Sequence, residues 1–249
     1  MPLTTGFLSF FNDKIMQKKS IINKGFTAIT ACKLIFAALF FLICPFVCNA
    51  EEIPPIDDIV EQLQRTYEKT NDFRANFFQE TTIKSIKKTE IEEGTVFFKN
   101  PRNMLWDYKK PNAKKMVINR QKAWLYLPQE KAAYVQKADK IFQSRVLIKF
   151  LSGLGKLKDD FAITYAEPNA LDKDGNYLLR LTPLDKSTII NPFQITVDKS
   201  TFYILQVSFN DVLGNSTLLK FSHMSVNNGI SDKLFQFQPP AGTSIFDMP

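Results

Sequence analysis

The chain has 249 residues, 45% of them apolar, with 32 Lys and Arg against 25 Asp and Glu. This length allows one domain of ordinary size but hardly two well-filled ones, and the apolar fraction excludes a disordered chain. There is one His, and all three Cys lie in residues 1–50, which leaves few groups for metal or thiol chemistry. The composition therefore argues against an enzyme. Residues 1–50 hold five Lys and one acid, so the remainder carries a net charge of only +3, which does not favour a nucleic-acid partner.

The first 50 residues are typical of a secretory signal. Lys33 is followed by seventeen uncharged residues that end at Ala50, and cleavage is predicted after Ala50. An uncleaved membrane anchor is the alternative, but a span normally needs about 20 apolar residues, and this core is short and contains Pro45. Residues 1–50 are therefore predicted to be a signal peptide, with Met1 or Met16 as its start.

Two segments of the remaining chain have helical periodicity. Residues 56–70 place apolar side chains at helical spacing and end before Asn71. Residues 144–155 repeat the pattern and contain Gly153 and Gly155 at their end, which stop the helix. The apolar positions of the two predicted helices are Ile56, Ile59, Val60, Leu63 and Tyr67 in the first, and Val146, Leu147, Phe150, Leu151 and Leu154 in the second.

The rest of the chain alternates like β-strands separated by polar turns. Eleven strands are predicted, at residues 72–82, 92–99, 104–110, 114–119, 122–127, 132–137, 160–167, 176–183, 193–199, 202–210 and 216–226. One mainly β domain is the economical interpretation. A sheet of this size can curl into a barrel with more room than side chains fill. Two apolar helices could plug that opening, or they could simply complete the core.

Reactive groups are scarce. His223 is predicted to share a strand face with Phe221, and a single strand His is a poor candidate for a general base. The sequence has no nucleophile elbow, phosphate-binding Gly loop or metal-ligand spacing, and its paired acids are sequence neighbours that do not form an acid/base pair. The sequence supplies hydrophobic surface instead, which favours binding of an apolar molecule.

Residues 92–136 carry a recognisable pattern of Gly, Pro and aromatic positions, and two further motifs flank it. The pattern positions are Gly94, Lys99, Pro101, Trp106, Tyr108, Pro111, Trp124, Tyr126 and Pro128. Upstream, FRANFFQ supplies Phe73, Ala75, Phe77 and Gln79, and downstream SDKLFQFQPPAG supplies Asp232, Phe235, Phe237, Pro239, Pro240 and Gly242. In order and spacing the chain resembles the LolA family, the periplasmic carriers of outer-membrane lipoproteins, from about residue 56 to residue 246.

The resemblance implies both a fold and a function for residues 51–249. The implied fold is a half-open antiparallel β-barrel, here of about eleven strands, with an α-helical lid over a hydrophobic cavity. The implied function is a monomeric periplasmic carrier without cofactor or metal. It would take acylated lipoproteins from an inner-membrane ABC-type release complex, shield their acyl chains and pass them to an outer-membrane acceptor.

Strand and helix alternation then indicates which side chains line the cavity, although about half of them could be plain core. The predicted lipid-binding residues are Phe73, Phe77, Met104, Trp106, Tyr108, Ile59, Leu63, Val146, Leu147, Phe150 and Leu151.

This chain departs from the family pattern at one position. Many members carry an Arg directly before the Pro of the turn after the Gly-containing strand, where it holds the lid. Here that position is Asn100, with Arg102 two residues on, so both are candidates for the lid latch. The departure leaves two alternatives open: a LolA-like carrier of another amphiphile, such as a glycolipid or pigment, and a periplasmic protein that senses lipoproteins.

Overall fold

The computed structural model describes residues 53–139, 157–185 and 191–248. The predicted signal peptide, the predicted helix at residues 144–155 and the four candidates Val146, Leu147, Phe150 and Leu151 lie outside the described residues. No helix in the described part is long and apolar enough to span a membrane.

One long helix, α1, spans Ile56–Lys69 and agrees with the first predicted helix. Asp57 and Asp58 occupy its first turn, where the helix dipole favours negative charge. One side of α1 is apolar and buried, and it consists of Ile59, Val60, Leu63 and Tyr67. An isolated helix of 14 residues is only marginally stable in water, so packing of its apolar side against the sheet stabilises it.

Twelve strands follow. They are β1 (Asp72–Ile83), β2 (Lys88–Lys99), β3 (Asn103–Lys110), β4 (Lys114–Ile118), β5 (Lys122–Leu127), β6 (Ala132–Lys137), β7 (Phe161–Tyr165), β8 (Tyr177–Pro183), β9 (Phe193–Val197), β10 (Ile204–Asn210), β11 (Ser216–Val226) and β12 (Ser244–Asp247). A four-residue helix, α2 (Leu157–Asp160), precedes β7. All eleven predicted strands are present, and β12 is the strand that the sequence pattern did not reveal.

The strands form one sheet in the order β12-β6-β5-β4-β3-β2-β1-β11-β10-β9-β8-β7. Two antiparallel meanders, β1 to β6 and β7 to β11, meet where β1 pairs with β11. At the far edge β12 adds to β6 in parallel. Edge strands β12 and β7 do not pair with each other among the described residues, so the sheet is unclosed. This antiparallel-rich, half-open sheet confirms the expected fold class.

The two faces of the sheet are covered by different parts of the chain. We call the face under α1 the inner face and the opposite one the outer face. In β3, Met104 and Trp106 join the apolar cluster on the inner face, whereas Leu105 joins a second cluster on the outer face. That outer cluster consists of Leu105, Val117, Trp124, Ala133 and Phe235, the last contributed by the segment after β11. This part of the sheet is therefore buried on both faces.

The predicted alternation of β11 fails at His223. Arg74 of β1 pairs with Ser225, but Asn76 pairs with Ser222, so β11 carries an extra residue there. His223 has a φ of 50° and is exposed. This β-bulge turns His223 away from the inner face, and the prediction that it shares a face with Phe221 was wrong.

Candidate functional site

The floor of the candidate site is a group of aromatic rings on the inner face. The Phe77 ring centroid lies 5.0 Å from that of Trp106 and 4.8 Å from that of Tyr108, both edge-on. The ring centroid of Phe221 on β11 lies 6.2 Å from that of Trp106. Strand alternation produces this group, because residues two apart on one strand point to the same face. Edge-to-face rings give a continuous apolar surface with no directional demand on a ligand.

Gly94 of β2 allows the Phe77 ring to pack closely against the backbone of β2. A Cβ atom at Gly94 would come within 2.8 Å of two Phe77 ring carbons and would overlap the backbone oxygen of Asp107. The glycine of the Gly-Pro-aromatic pattern is therefore required by close packing of the ring against the backbone.

Helix α1 contributes to the same apolar cluster on the inner face. Ile59 and Leu63 are almost fully buried in the same cluster as the sheet residues. All seven predicted lipid-binding residues in the described part belong to this cluster or pack against it, namely Ile59, Leu63, Phe73, Phe77, Met104, Trp106 and Tyr108. Their proximity follows the sequence pattern, and their role in binding lipid stays a prediction. Phe98 and Phe221 belong to the same surface and were not among the candidates, although each alternates with other inward residues of its strand.

The C-terminal end of α1 is tied to the sheet by Asn100. The Asn100 side-chain amide donates a hydrogen bond from Nδ2 to the backbone oxygen of Thr70, at 2.6 Å, and Thr70 directly follows α1. The Asn100 backbone N–H also donates to the oxygen of Asn71, at 2.7 Å. Asn100 thus contacts the backbone at the end of the helix, as a lid latch would. Arg102 instead forms an ion pair with Asp139, at 2.8 Å.

Buried hydroxyl groups reinforce the same end of α1. The Tyr67 hydroxyl accepts a hydrogen bond from the Ile204 backbone N–H at 3.2 Å, and the Thr70 hydroxyl lies 2.9 Å from the Tyr203 hydroxyl. Burial raises the pKa of Tyr67 well above its usual value, so the phenol stays neutral. These contacts fix α1 without placing a charge in the apolar cluster.

The other end of α1 is held more loosely. Lys158 of α2 pairs with Asp57 at 2.7 Å, but both side chains are more than half exposed, and such pairs contribute little. Tyr165 donates from its hydroxyl to the backbone oxygen of Pro54, also at 2.7 Å. The helix is thus attached to the rest of the chain by its buried apolar side and by a few hydrogen bonds at its ends.

A polar rim borders the aromatic floor at Tyr108. The Lys114 ammonium lies 4.3 Å from the Tyr108 ring centroid and forms an ion pair with Glu92 at 2.6 Å. The site thus offers an apolar surface with charged groups at its margin, suited to a molecule with an apolar part and a polar part. No group of three His, Cys, Asp or Glu in the described part of the chain could hold a metal ion.

Comparison with known proteins identifies the family. The sequence model described as "Outer membrane lipoprotein carrier protein LolA" matches residues 68–238, well over half of the chain. The chain belongs to the LolA family. Members of this family are carriers and not enzymes, so the expectation of a non-catalytic protein is confirmed.

Individual relatives agree with the LolA assignment, and a solved structure agrees with the fold. An outer-membrane lipoprotein carrier protein of Methylobacillus flagellatus is 26% identical over 188 residues, which cover 76% of this chain and 88% of the relative. A protein of the same description from Pseudomonas aeruginosa is 25% identical, covering 75% and 86%. The solved structure of an uncharacterized conserved protein from Thermus thermophilus covers 77% of this chain and 98% of its own, with a TM-score of 0.50 and 12% identity, and supports the fold alone.

One polar group in this LolA-family site lacks a partner. The Trp106 indole nitrogen is buried, and it is the one buried side-chain nitrogen or oxygen of the described residues with no hydrogen-bond partner. An unpaired buried donor costs about 1–3 kcal/mol. The unpaired Trp106 N–H therefore lowers the stability of the fold, and a phenylalanine at this position would not have that cost.

We expect Trp106→Phe to leave the free energy of unfolding within about 1 kcal/mol of the wild type, because removal of the unpaired N–H offsets the lost volume. Trp124→Phe in the outer cluster is the matched control, since it loses the same volume without removing an unpaired buried donor. Urea denaturation should show the control to be the less stable variant by about 1–2 kcal/mol. Equal losses, or a larger loss for Trp106→Phe, would contradict this account.

Proposed function

We propose that this protein is a periplasmic carrier of acylated lipoproteins. It receives them from an inner-membrane ABC-type release complex, covers their acyl chains between α1 and the inner face of the sheet, and delivers them to an outer-membrane acceptor. Membership of the LolA family carries this proposal, and the apolar inner face that packs against α1 supports it. The predicted signal peptide and the relatives' description as outer-membrane lipoprotein carriers support the proposed periplasmic location.

The energetics explain why such a carrier needs a large apolar surface. Three acyl chains contain on the order of 45 methylene groups, and exposure of each to water costs about 0.8 kcal/mol, or roughly 35 kcal/mol together. Free diffusion of the cargo through water is therefore negligible. A carrier must shield the acyl chains and later release them. An apolar surface shields the chains without directional bonds, and a helix held by few hydrogen bonds allows their release.

The test is capture of cargo from a membrane. Residues 51–249 would be incubated with inner-membrane vesicles that hold the release complex and a triacylated lipoprotein, and the soluble fraction analysed by native mass spectrometry. A one-to-one soluble complex is the expected result. A different bound amphiphile would replace the proposal with a carrier of that molecule, and protein that stays empty would favour a sensor of lipoproteins.

We further propose that Asn100 is the latch of the closed state. An interaction present in the closed, empty carrier competes with cargo, so its removal shifts the population toward the loaded state. One hydrogen bond contributes about 0.5–1.5 kcal/mol, so Asn100→Ala should retain cargo about 2–10-fold more strongly during transfer to acceptor-containing membranes.

The control variant is Arg102→Ala, which removes the ion pair with Asp139 but leaves the Asn100–Thr70 hydrogen bond in place. Transfer by this variant should match the wild type. A slower release by Arg102→Ala together with normal release by Asn100→Ala would assign the latch to Arg102 instead.

A further inference from the structure

The hairpin of β1 and β2 projects beyond its neighbour in the sheet. Both strands are 12 residues long, but β3 begins to pair with β2 only at Glu93, opposite Lys110. The part of β2 before Glu93 therefore extends past β3. The hairpin ends in a short 3₁₀ turn, Lys84–Ile86.

The turn between β10 and β11 lies against this hairpin end. The Lys84 backbone N–H donates a hydrogen bond to the Asn215 side-chain oxygen at 3.0 Å. Gly214 has a φ of 78°, and a Cβ atom there would come within 3.1 Å of the Lys84 side chain, so the two turns are in close contact. We call residues 84–88 and 211–215 together the hairpin tip.

The hairpin tip exposes large aliphatic side chains and contains three lysines and one acid, Asp211. Ile86 is 63% exposed, Val212 62% and Leu213 77%, which are the three highest values among the large apolar residues of the described chain. Lys84 and Lys87 are exposed and form no ion pair within the described residues, whereas Lys88 pairs with Glu90. Apolar side chains this exposed are unfavourable in water unless something covers them.

We propose that the hairpin tip docks the protein on the surface of an anionic lipid membrane. A few protruding side chains offer far less area than the roughly 1,000 Å² that a specific protein interface needs. A bilayer requires no matching shape: aliphatic side chains enter the boundary between headgroups and acyl chains, and lysines are attracted to anionic headgroups. The combination at the hairpin tip fits that partner in both respects.

The hairpin tip lies at the opposite end of β1 from α1 and Asn100. Asp72, the first residue of β1, follows Thr70 closely, and 12 residues of strand separate it from the tip, or about 40 Å. Docking by the tip would therefore leave the Asn100–Thr70 contact free to open. Such attachment is weak and reversible, because one small apolar anchor does not hold a protein permanently on a bilayer.

The test is vesicle flotation with the segment from Glu52 to Pro249, a compact unit that contains α1 and all twelve strands. Vesicles of phosphatidylglycerol and phosphatidylethanolamine are compared with vesicles of phosphatidylcholine. We expect binding to the anionic vesicles that weakens with added salt. The double variant Ile86→Ser/Leu213→Ser should bind them at least about tenfold more weakly, and Lys84→Gln/Lys87→Gln should lose most of the salt dependence.

The matched control is Leu234→Ser/Ile245→Ser, which makes the same two changes at exposed residues away from the hairpin tip. It should bind vesicles like the wild type, and circular dichroism should show that all variants are folded. The proposal is overturned if wild-type protein ignores anionic vesicles or if the control loses as much binding. It is also overturned if the tip variant binds vesicles normally but fails only with protein-containing membranes, which would indicate a protein partner. The vesicles contain no lipoprotein, so the result does not depend on the proposed cargo.

Discussion

Gly94→Ala is expected to lower the free energy of unfolding by about 3 kcal/mol, a large loss for the addition of one methyl group. The new Cβ would overlap the Asp107 backbone oxygen on β3 and press on the Phe77 ring, so both the β2–β3 pairing and the aromatic floor have to shift. Because Phe77 contacts Trp106 and Tyr108, the near-ultraviolet circular dichroism should change along with the urea midpoint.

The control for this prediction is Gly242→Ala. Gly242 has a φ of 81°, and a Cβ atom added there would find no neighbouring atom within 4 Å, so alanine meets only backbone strain of about 1–2 kcal/mol. The Gly242 variant should keep the wild-type aromatic spectrum. Similar spectra for both variants, or a smaller loss for Gly94→Ala, would show that the ring does not depend on the glycine.

Asp72→Ala should cost about 2–4 kcal/mol and loosen the chain after β11. The buried Asp72 carboxylate accepts hydrogen bonds from the backbone N–H groups of Asn228, Gly229 and Ile230, at 2.9, 3.0 and 3.3 Å. Alanine leaves these donors without their partner, which carries the full cost of desolvation. Hydrogen exchange at residues 228–230 and limited proteolysis of the segment after β11 should both become faster.

Asp232→Ala serves as the comparison. Asp232 pairs with Lys99 at 2.8 Å, but its side chain is 70% exposed, so the loss should stay below about 1 kcal/mol. Both aspartates act on the segment that brings Phe235 into the outer cluster. If the two variants lost equal stability, or if Asp72→Ala left exchange unchanged, the carboxylate would not be what holds this segment.

Local alternation was enough to predict most of the sheet. Eleven strands have an apolar side that recurs every second residue, and each pairs with a neighbour, so pattern and tertiary structure agree. β12 has four exposed residues and pairs in parallel with β6, far away in sequence. Its existence depends on that distant edge and not on its own pattern. The bulge at His223 was not predicted for a related reason. An extra residue in one strand can be recognised only when that strand is aligned with its partner.

The candidate site was predictable in its floor but not in its attachments. Phe77, Trp106 and Tyr108 come together because each has the parity of an inward position. Trp124 is equally aromatic, but it belongs to the outer cluster. Residue type alone does not reveal which face of the sheet a side chain occupies. Asn100 was a latch candidate through the family resemblance, but its partner, the Thr70 backbone oxygen 30 residues away, could be identified only in the folded chain.

The junction of β1 with β11 has a consequence for the order in which the chain folds. Asp72 and Asn228, which meet at this junction, are 156 residues apart in sequence, whereas each meander pairs strands that are close in sequence. Pairings between strands that are distant in sequence form slowly, because the entropy cost of closing the long loop comes before the contacts that offset it. During synthesis the first meander is available long before β11. Until then β1, with Phe73 and Phe77, is an unpaired edge of the kind that recruits other chains. The nascent protein therefore needs protection along the same strand that carries the floor of its finished site.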